Sequence, residues 1–348
     1  MTRRYRWFSV PAAALAALVA VPASAGSADS APSYRVTKAI PLGAPDRWDY
    51  VVFDGASRRV FVAHGDHVTV VDGATGAILG QVGTFPGGTH GIAVVSGAGR
   101  GYTDDGRAGM AASFDLATLK VINTIKAEKD ADGVLFDPVS RHIFVINGES
   151  ANLTVIDPAS DAVIATIAAG GGLEIGVPGG NGKLYIDGAE HNEIVRIDTA
   201  TNQADAHWPI PNCTSPHGLA IDPATHRLFA SCINSTLVVL NADDGATVAS
   251  LPIGLGTDTA AFDTRRKLIF SSNGRDGTIS VIKEVNANDY VSMGSIPTQR
   301  TARTMAVDSV SGRIYLAAGD IDTKAAPVNG RPPLIPGSLK LLFIDPSP

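Results

Sequence analysis

Apolar residues along the chain gather into short runs separated by turn residues, and the runs repeat as a phrase. A polar residue opens it, an apolar run ends in Asp, a turn follows, and a second apolar run begins with a basic residue. It reads Asp49-Tyr-Val-Val-Phe-Asp54 then Arg59-Val-Phe-Val; Asp132-Gly-Val-Leu-Phe-Asp137 then Arg141; His217-Gly-Leu-Ala-Ile-Asp222 then Arg227-Leu-Phe-Ala. Asp258 to Asp263 before Lys267, and Arg303 to Asp308 before Arg313, repeat it; His90 to Val95 and Glu174 to Val177 are degenerate copies. The copies start at 49, 90, 132, 174, 217, 258 and 303, at steps of 41 to 45 residues. Each continues with a third run closed by Asp or Asn, as in Val68 to Asp72, and a fourth, as in Val163 to Ile167. Four short strands per period of about 42 residues predict an all-β, seven-bladed β-propeller. No stretch carries the 3.6-residue period that a helical solenoid requires.

The chain stops on a third strand, Leu339 to Asp345, and Val36 to Gly43 resembles the fourth strands of other copies. The N-terminal strand is therefore expected to complete the last blade and close the ring, removing open sheet edges. Before it, Arg3, Arg4 and Arg6 precede an uncharged run from Trp7 to Val21, and Ala23-Ser24-Ala25 supplies a cleavage site. Residues 1–25 read as an export signal, 26–33 as a linker and 34–348 as one propeller domain. The competing reading is a membrane anchor, for which the run is short. Cleavage leaves no membrane span and places the protein in the periplasm or outside the cell.

Composition narrows the picture. Of 348 residues, 45% are hydrophobic and only 18% charged, too apolar for disorder, and a net charge of -6 argues against a nucleic-acid groove. The two cysteines flank the first hairpin of blade five, so geometry and an oxidising compartment both predict a Cys213–Cys232 disulfide.

Candidate chemistry sits at the opening position of the phrase. The first strand of a blade lines the central channel, so Asp49, His90, Asp132, Glu174, His217, Asp258 and Arg303 fall at one height, and all seven are ionisable. They either solvate a wet channel or form a site. Arg303 has Asp258 and Asp49 as neighbours and can neutralise both. His90, Asp132, Glu174 and His217 remain as ligands for a divalent metal (Zn, Mn, Mg or Ca) or as a general acid and base pair. Loops between second and third strands open on the same face and carry further polar residues, including Asp104, Asp187, His64 and His191. Turn chemistry accounts for most of them, and His64 and His191 stand out as ligand-binding candidates. A proline-rich insert at 319–338 in blade seven reads as a lid that brings Arg331 near the mouth. No haem-attachment, nucleotide, nucleophile-elbow or metalloprotease motif is present.

The phrase, with Arg227 to Ala230 and Lys183 to Ile186 at the position of the naming tetrapeptide, resembles the YVTN-type propeller family and its YncE-like exported members over residues 34 to 345. That resemblance implies a propeller and leaves activity open. The site points to a small oxygenated ligand at the ring, with metal-assisted lyase or lactonase/hydrolase chemistry. The alternative is a non-catalytic periplasmic module that binds a ligand or a protein. A platform for a loose redox cofactor has no motif to support it.

Overall fold

The computed structural model describes residues 33–326 and 332–347. Each repeated Asp has a mechanical task. At the end of a first strand, the Asp54 carboxylate accepts the backbone N–H groups of Ala56 and Ser57, and Asp263 accepts those of Arg265 and Arg266. At the end of a third strand, Asp72 accepts from Ala74 and Thr75, and Asp115 from Ala117 and Thr118. These side chains satisfy turn donors that the strand ladder leaves unpaired, which fixes where each apolar run must reverse.

The strands form seven four-stranded antiparallel sheets. Blade one spans residues 51–82, two 92–126, three 131–168, four 173–209, five 216–252 and six 257–297. Blade seven takes its inner strands from Thr304–Asp308, Arg313–Ala318 and Lys340–Pro346, and its outer strand from Tyr34–Pro41. That last pairing runs from Tyr34 opposite Pro346 to Pro41 opposite Lys340, so the ring closes as the sequence predicts.

Apolar residues face neighbouring blades rather than one common centre. The buried side chains divide into seven clusters, one at each blade interface: Phe61, Ala63 and Phe114 between blades one and two, for example, and Tyr315, Leu341 and Phe343 between seven and one. The basic residue that opens a second strand straps its blade to the next. Arg59 donates to the Leu116 carbonyl, Arg227 to that of Ala287 and Arg313 to that of Gly73. The second-strand tyrosines do the same. Tyr185 donates to the Ala242 carbonyl, Tyr315 to that of Gly73 and Tyr102 to the Asp161 carboxylate.

The predicted disulfide joins Cys213 to Cys232, with Cα atoms 5.4 Å apart. The blade-seven insert begins as an antiparallel excursion in which Ile321 bridges Leu334. Leu334 packs with Trp48 in the cluster between blades seven and one, and the Asp46 carboxylate accepts the N–H groups of Gly337 and Leu339. The insert is thus tied to the segment that leads into Asp49. Arg331, residues 1–25 read as an export signal and most of 26–33 read as a linker lie outside the described residues. Among the described residues, no helix is long and apolar enough to cross a membrane.

Candidate functional site

The ionisable ring owes its position to backbone irregularity. In blade three the register passes from Ala131–Asn147 to Gly133–Ile146, which leaves Asp132 as an extra residue; His217 is extra in the same way in blade five. Glu174 and Asp258 lie in equivalent one-residue bulges, and Asp49 and Tyr50 both bond to Ala63. A bulge bends the strand and re-aims a side chain, here into the channel, while the ladder beyond stays intact. The glycines after both ring histidines let blades crowd together at this level. A Cβ on Gly91 would lie 2.2 Å from the Val134 nitrogen, and one on Gly218 2.5 Å from that of Ala260.

Between blades two and three, His90 is buried and its Nδ1 lies 3.0 Å from Asp104 and 3.7 Å from Asp132. The Asp104 carboxylate also accepts the backbone N–H groups of His90 and Gly91. Burial opposes charge on the ring, yet the hydrogen bond and charge of Asp104, with Asp132 and Asp49 adding, push His90 up to about 9. Burial pushes Asp104 up to about 6 against the pull of His90. Arg47 Nη2 lies 3.0 Å from His90 Nε2. A guanidinium can only donate, so this ring nitrogen accepts either Arg47 or a proton, never both. Asp49, His90 and Asp132 each offer a donor atom, and all three atoms lie within 4.8 Å of one another.

Between blades four and five, His217 Nε2 lies 3.7 Å from Glu174 Oε1, and His217 Nδ1 lies 3.1 Å from the Ser215 carbonyl oxygen. Burial raises Glu174 to about 7, with Asp132 and Asp258 adding to the shift and His217 opposing it. The second-strand residue here is Asp187. It is wholly buried, and neither carboxylate oxygen has a hydrogen-bond partner among the described residues. Burial, and then the charge of Glu174, hold its carboxyl well above the usual range.

Around the rest of the ring, Arg303 Nε lies 3.6 Å from Asp258, and Arg303 Nη2 donates to the Trp48 carbonyl. Its charge also acts on Asp49, which burial first, and then Asp132, nevertheless push up to about 8. Burial raises Asp132 as well. Tyr50 is the one aromatic side chain among the residues that follow the ring positions. Its hydroxyl is raised well above its ordinary value by burial and by the charges of Asp49, Asp132, Asp258 and Glu174.

The four residues expected to share one metal therefore form two close pairs, His90 with Asp132 and Glu174 with His217. Two loop expectations change. His64 is wholly buried, its Nδ1 2.9 Å from Thr69 and its Nε2 2.8 Å from the Pro45 carbonyl; the final residue of its strand turns inward and pins the segment before Asp49. His191 stands on the outer rim, 3.7 Å from Glu193, which His207 also approaches at 3.0 Å. Asp104 and Asp187 belong to second strands, not loops. Their sequence signal is an acid where the other blades place Ala63, Ile146, Ser231, Ser272 and Ala317. Arg47 and Tyr50 escape sequence reasoning because nothing in the repeat phrase marks them.

No protein-family model matches the chain, and no curated protein sequence matches it. Solved structures do resemble it. A chain from the crystal structure of the mitotic checkpoint complex superposes with a TM-score of 0.74 at 13% identity, covering 97% of this chain and 99% of that one. The structure of U3-55K gives a TM-score of 0.74 at 9% identity, covering 89% and 98%. At these identities the likeness establishes the propeller fold alone.

Proposed function

We propose that this protein is an exported binding module of the YVTN type that takes a small oxygenated ligand at the channel mouth, with a divalent cation held by Asp49, His90 and Asp132. The observation that carries this reading is the convergence of those three donor sets within 4.8 Å, from three successive blades. Carboxylates that raise one another's proton affinity in a buried setting favour a cation between them. A cation there displaces Arg47 or Asp104 from His90. Displaced Arg47, together with Arg303, then offers planar donor forks to the oxygens of a ligand. Calorimetric titration with Mn²⁺, Zn²⁺, Mg²⁺ and Ca²⁺, followed by hydroxy acids and lactones in the presence of the bound cation, tests the reading. Asp132→Asn is expected to weaken one cation site tenfold or more; unchanged cation and ligand binding in that variant removes the triad as the site.

A second reading, metal-assisted lyase or hydrolase chemistry, draws on one observation: a carboxyl near half-ionisation at neutral pH, Glu174, beside the imidazole of His217. It predicts turnover of a lactone with a pH dependence that Glu174→Gln abolishes. Ligand binding without turnover leaves the binding module as the whole function.

A further inference from the structure

We propose that Arg47 is a built-in competitor for the Asp49–His90–Asp132 seat, a tethered guanidinium that an entering divalent cation must displace from His90. This regulation rests on the triad binding a cation, as proposed above. The two ring nitrogens of His90 decide which partner leaves. Nε2 lies 3.0 Å from Arg47 Nη2, and Nδ1 lies 3.0 Å from Asp104 Oδ1. A guanidinium has only hydrogens to offer, so Nε2 presents its lone pair to Arg47 and Nδ1 carries the ring hydrogen toward Asp104. One lone pair serves one partner. A cation that takes this imidazole through Nε2 has to expel Arg47, whereas the Asp104 contact persists and holds the ring in the same orientation, as a carboxylate behind a metal-ligating histidine does.

The backbone delivers the guanidinium to this place. Arg47 lies between the closing strand Tyr34–Pro41 and the ring residue Asp49, and its neighbours on both sides are tied down. The Pro45 carbonyl faces His64 Nε2, the Asp46 carboxylate accepts the N–H groups of Gly337 and Leu339, and the Trp48 carbonyl accepts from Arg303. The guanidinium itself rests against Gly88, where a Cβ would lie 3.2–3.3 Å from three of its atoms. A tethered group competes at an effective concentration set by its tether, and with both flanks fixed this competitor is always at hand. The Arg47 residue is nevertheless exposed, and among the described residues its side chain makes no hydrogen bond other than the one to His90. It can swing out without opening a core. The seat therefore has a threshold: a weakly held ion leaves Arg47 in place, whereas one gripped by an imidazole and two carboxylates moves it.

The probe is Mn²⁺ alone, titrated by calorimetry into metal-stripped parent protein and its Arg47→Ala and Arg47→Gln variants. Removing the competitor should tighten Mn²⁺ binding roughly tenfold or more, the factor by which an occupied seat lowers apparent affinity. Loss of a nearby positive charge would also favour a cation, so a second measure follows the displacement itself. The reactivity of Arg47 toward phenylglyoxal, mapped by mass spectrometry in the parent protein, should rise on saturation with Mn²⁺. Because the side chain is exposed, the metal-free variants should melt with the parent, which separates a change at the seat from a change in folding. A parent that binds no Mn²⁺ beside an Arg47→Ala variant that does is the same result in its extreme form. The competitor is overturned if Mn²⁺ binding that depends on Asp132 is no tighter in either Arg47 variant, or if saturating Mn²⁺ leaves the labelling of Arg47 unchanged. Failure of the triad itself looks different: no protein binds Mn²⁺, or the binding is indifferent to Asp132→Asn in both the parent and the Arg47→Ala background.

Discussion

The corner between blades two and three and the corner between blades four and five share a backbone frame, yet they handle charge in opposite ways. In the first, the His90 ring lies 3.0 Å from Asp104, and the backbone N–H groups of His90 and Gly91 complete the acid's hydrogen bonding. In the second, the corresponding acid has no such partner, and the nearest ring residue on its own blade is another acid. Moving the imidazole from the first to the last place of the triplet (His90, Asp104, Asp132 against Glu174, Asp187, His217) leaves the second-strand acid, Asp187, without the hydrogen-bonding partner that Asp104 has among the described residues. A propeller can therefore repeat its backbone geometry while varying how charge is balanced from one corner to the next.

The largest expected effect tests the satisfied corner. Asp104→Ala leaves two backbone donors and the His90 imidazole without their acceptor, and should destabilise the protein by about 3–5 kcal/mol in urea unfolding. Opening the disulfide comes next. It closes a chain segment with a sequence separation of 19, and a paired Cys213→Ala, Cys232→Ala variant should lose roughly 3 kcal/mol by the chain-entropy argument.

A third contrast is in pH. His90 rises from 6.5 to about 9, Asp49 from 3.8 to about 8 and Glu174 from 4.5 to about 7 on folding. In each case the folded state holds a proton that the unfolded chain releases sooner, so stability falls as pH rises. For metal-free protein the Asp49 and Glu174 contributions are complete at the acid end and fade between about 4 and 8. That of His90 is complete below about 6.5 and fades up to about 9. Unfolding midpoints should decline from mildly acid to alkaline pH, and Asp49→Asn should flatten the acid half of that decline. The smallest effect is at the unsatisfied corner. Without metal, Asp187→Asn removes a costly carboxyl and should equal or exceed the parent stability, by about 1 kcal/mol. A large loss there would mean that Asp187 is paired in solution, erasing the difference between the corners.

Much of this was legible because the fold is written as period and alternation. The apolar runs, capping Asp residues and strap-forming Arg59 and Arg313 recur in phase, so the blades, the closing strand and the disulfide follow from spacing. The ring was legible as a position, since one residue per copy falls at one height. Its internal grouping was not. Whether His90 meets Asp132 or Glu174 depends on the blade interface, and that is set by three-dimensional packing rather than by the order of the copies. The burial of His64 was not legible, because a residue at the end of a strand points inward or outward according to the register of its own ladder. Asp104 and Asp187 were visible as polar residues, but their burial depends on the adjoining blade.

The pairing of residues 34–41 with 340–346 also imposes an order in time. The outermost strand of blade seven is made among the first and must wait for a partner made among the last, so a growing chain can stack its middle blades but cannot shut. Until Lys340 to Pro346 arrive, the circle has a seam, and Trp48, Arg303 and the insert that packs beside them lie along it. The mouth is thus the last part of the molecule to be assembled, and a chain truncated before residue 340 should carry sound blades around an unfinished site.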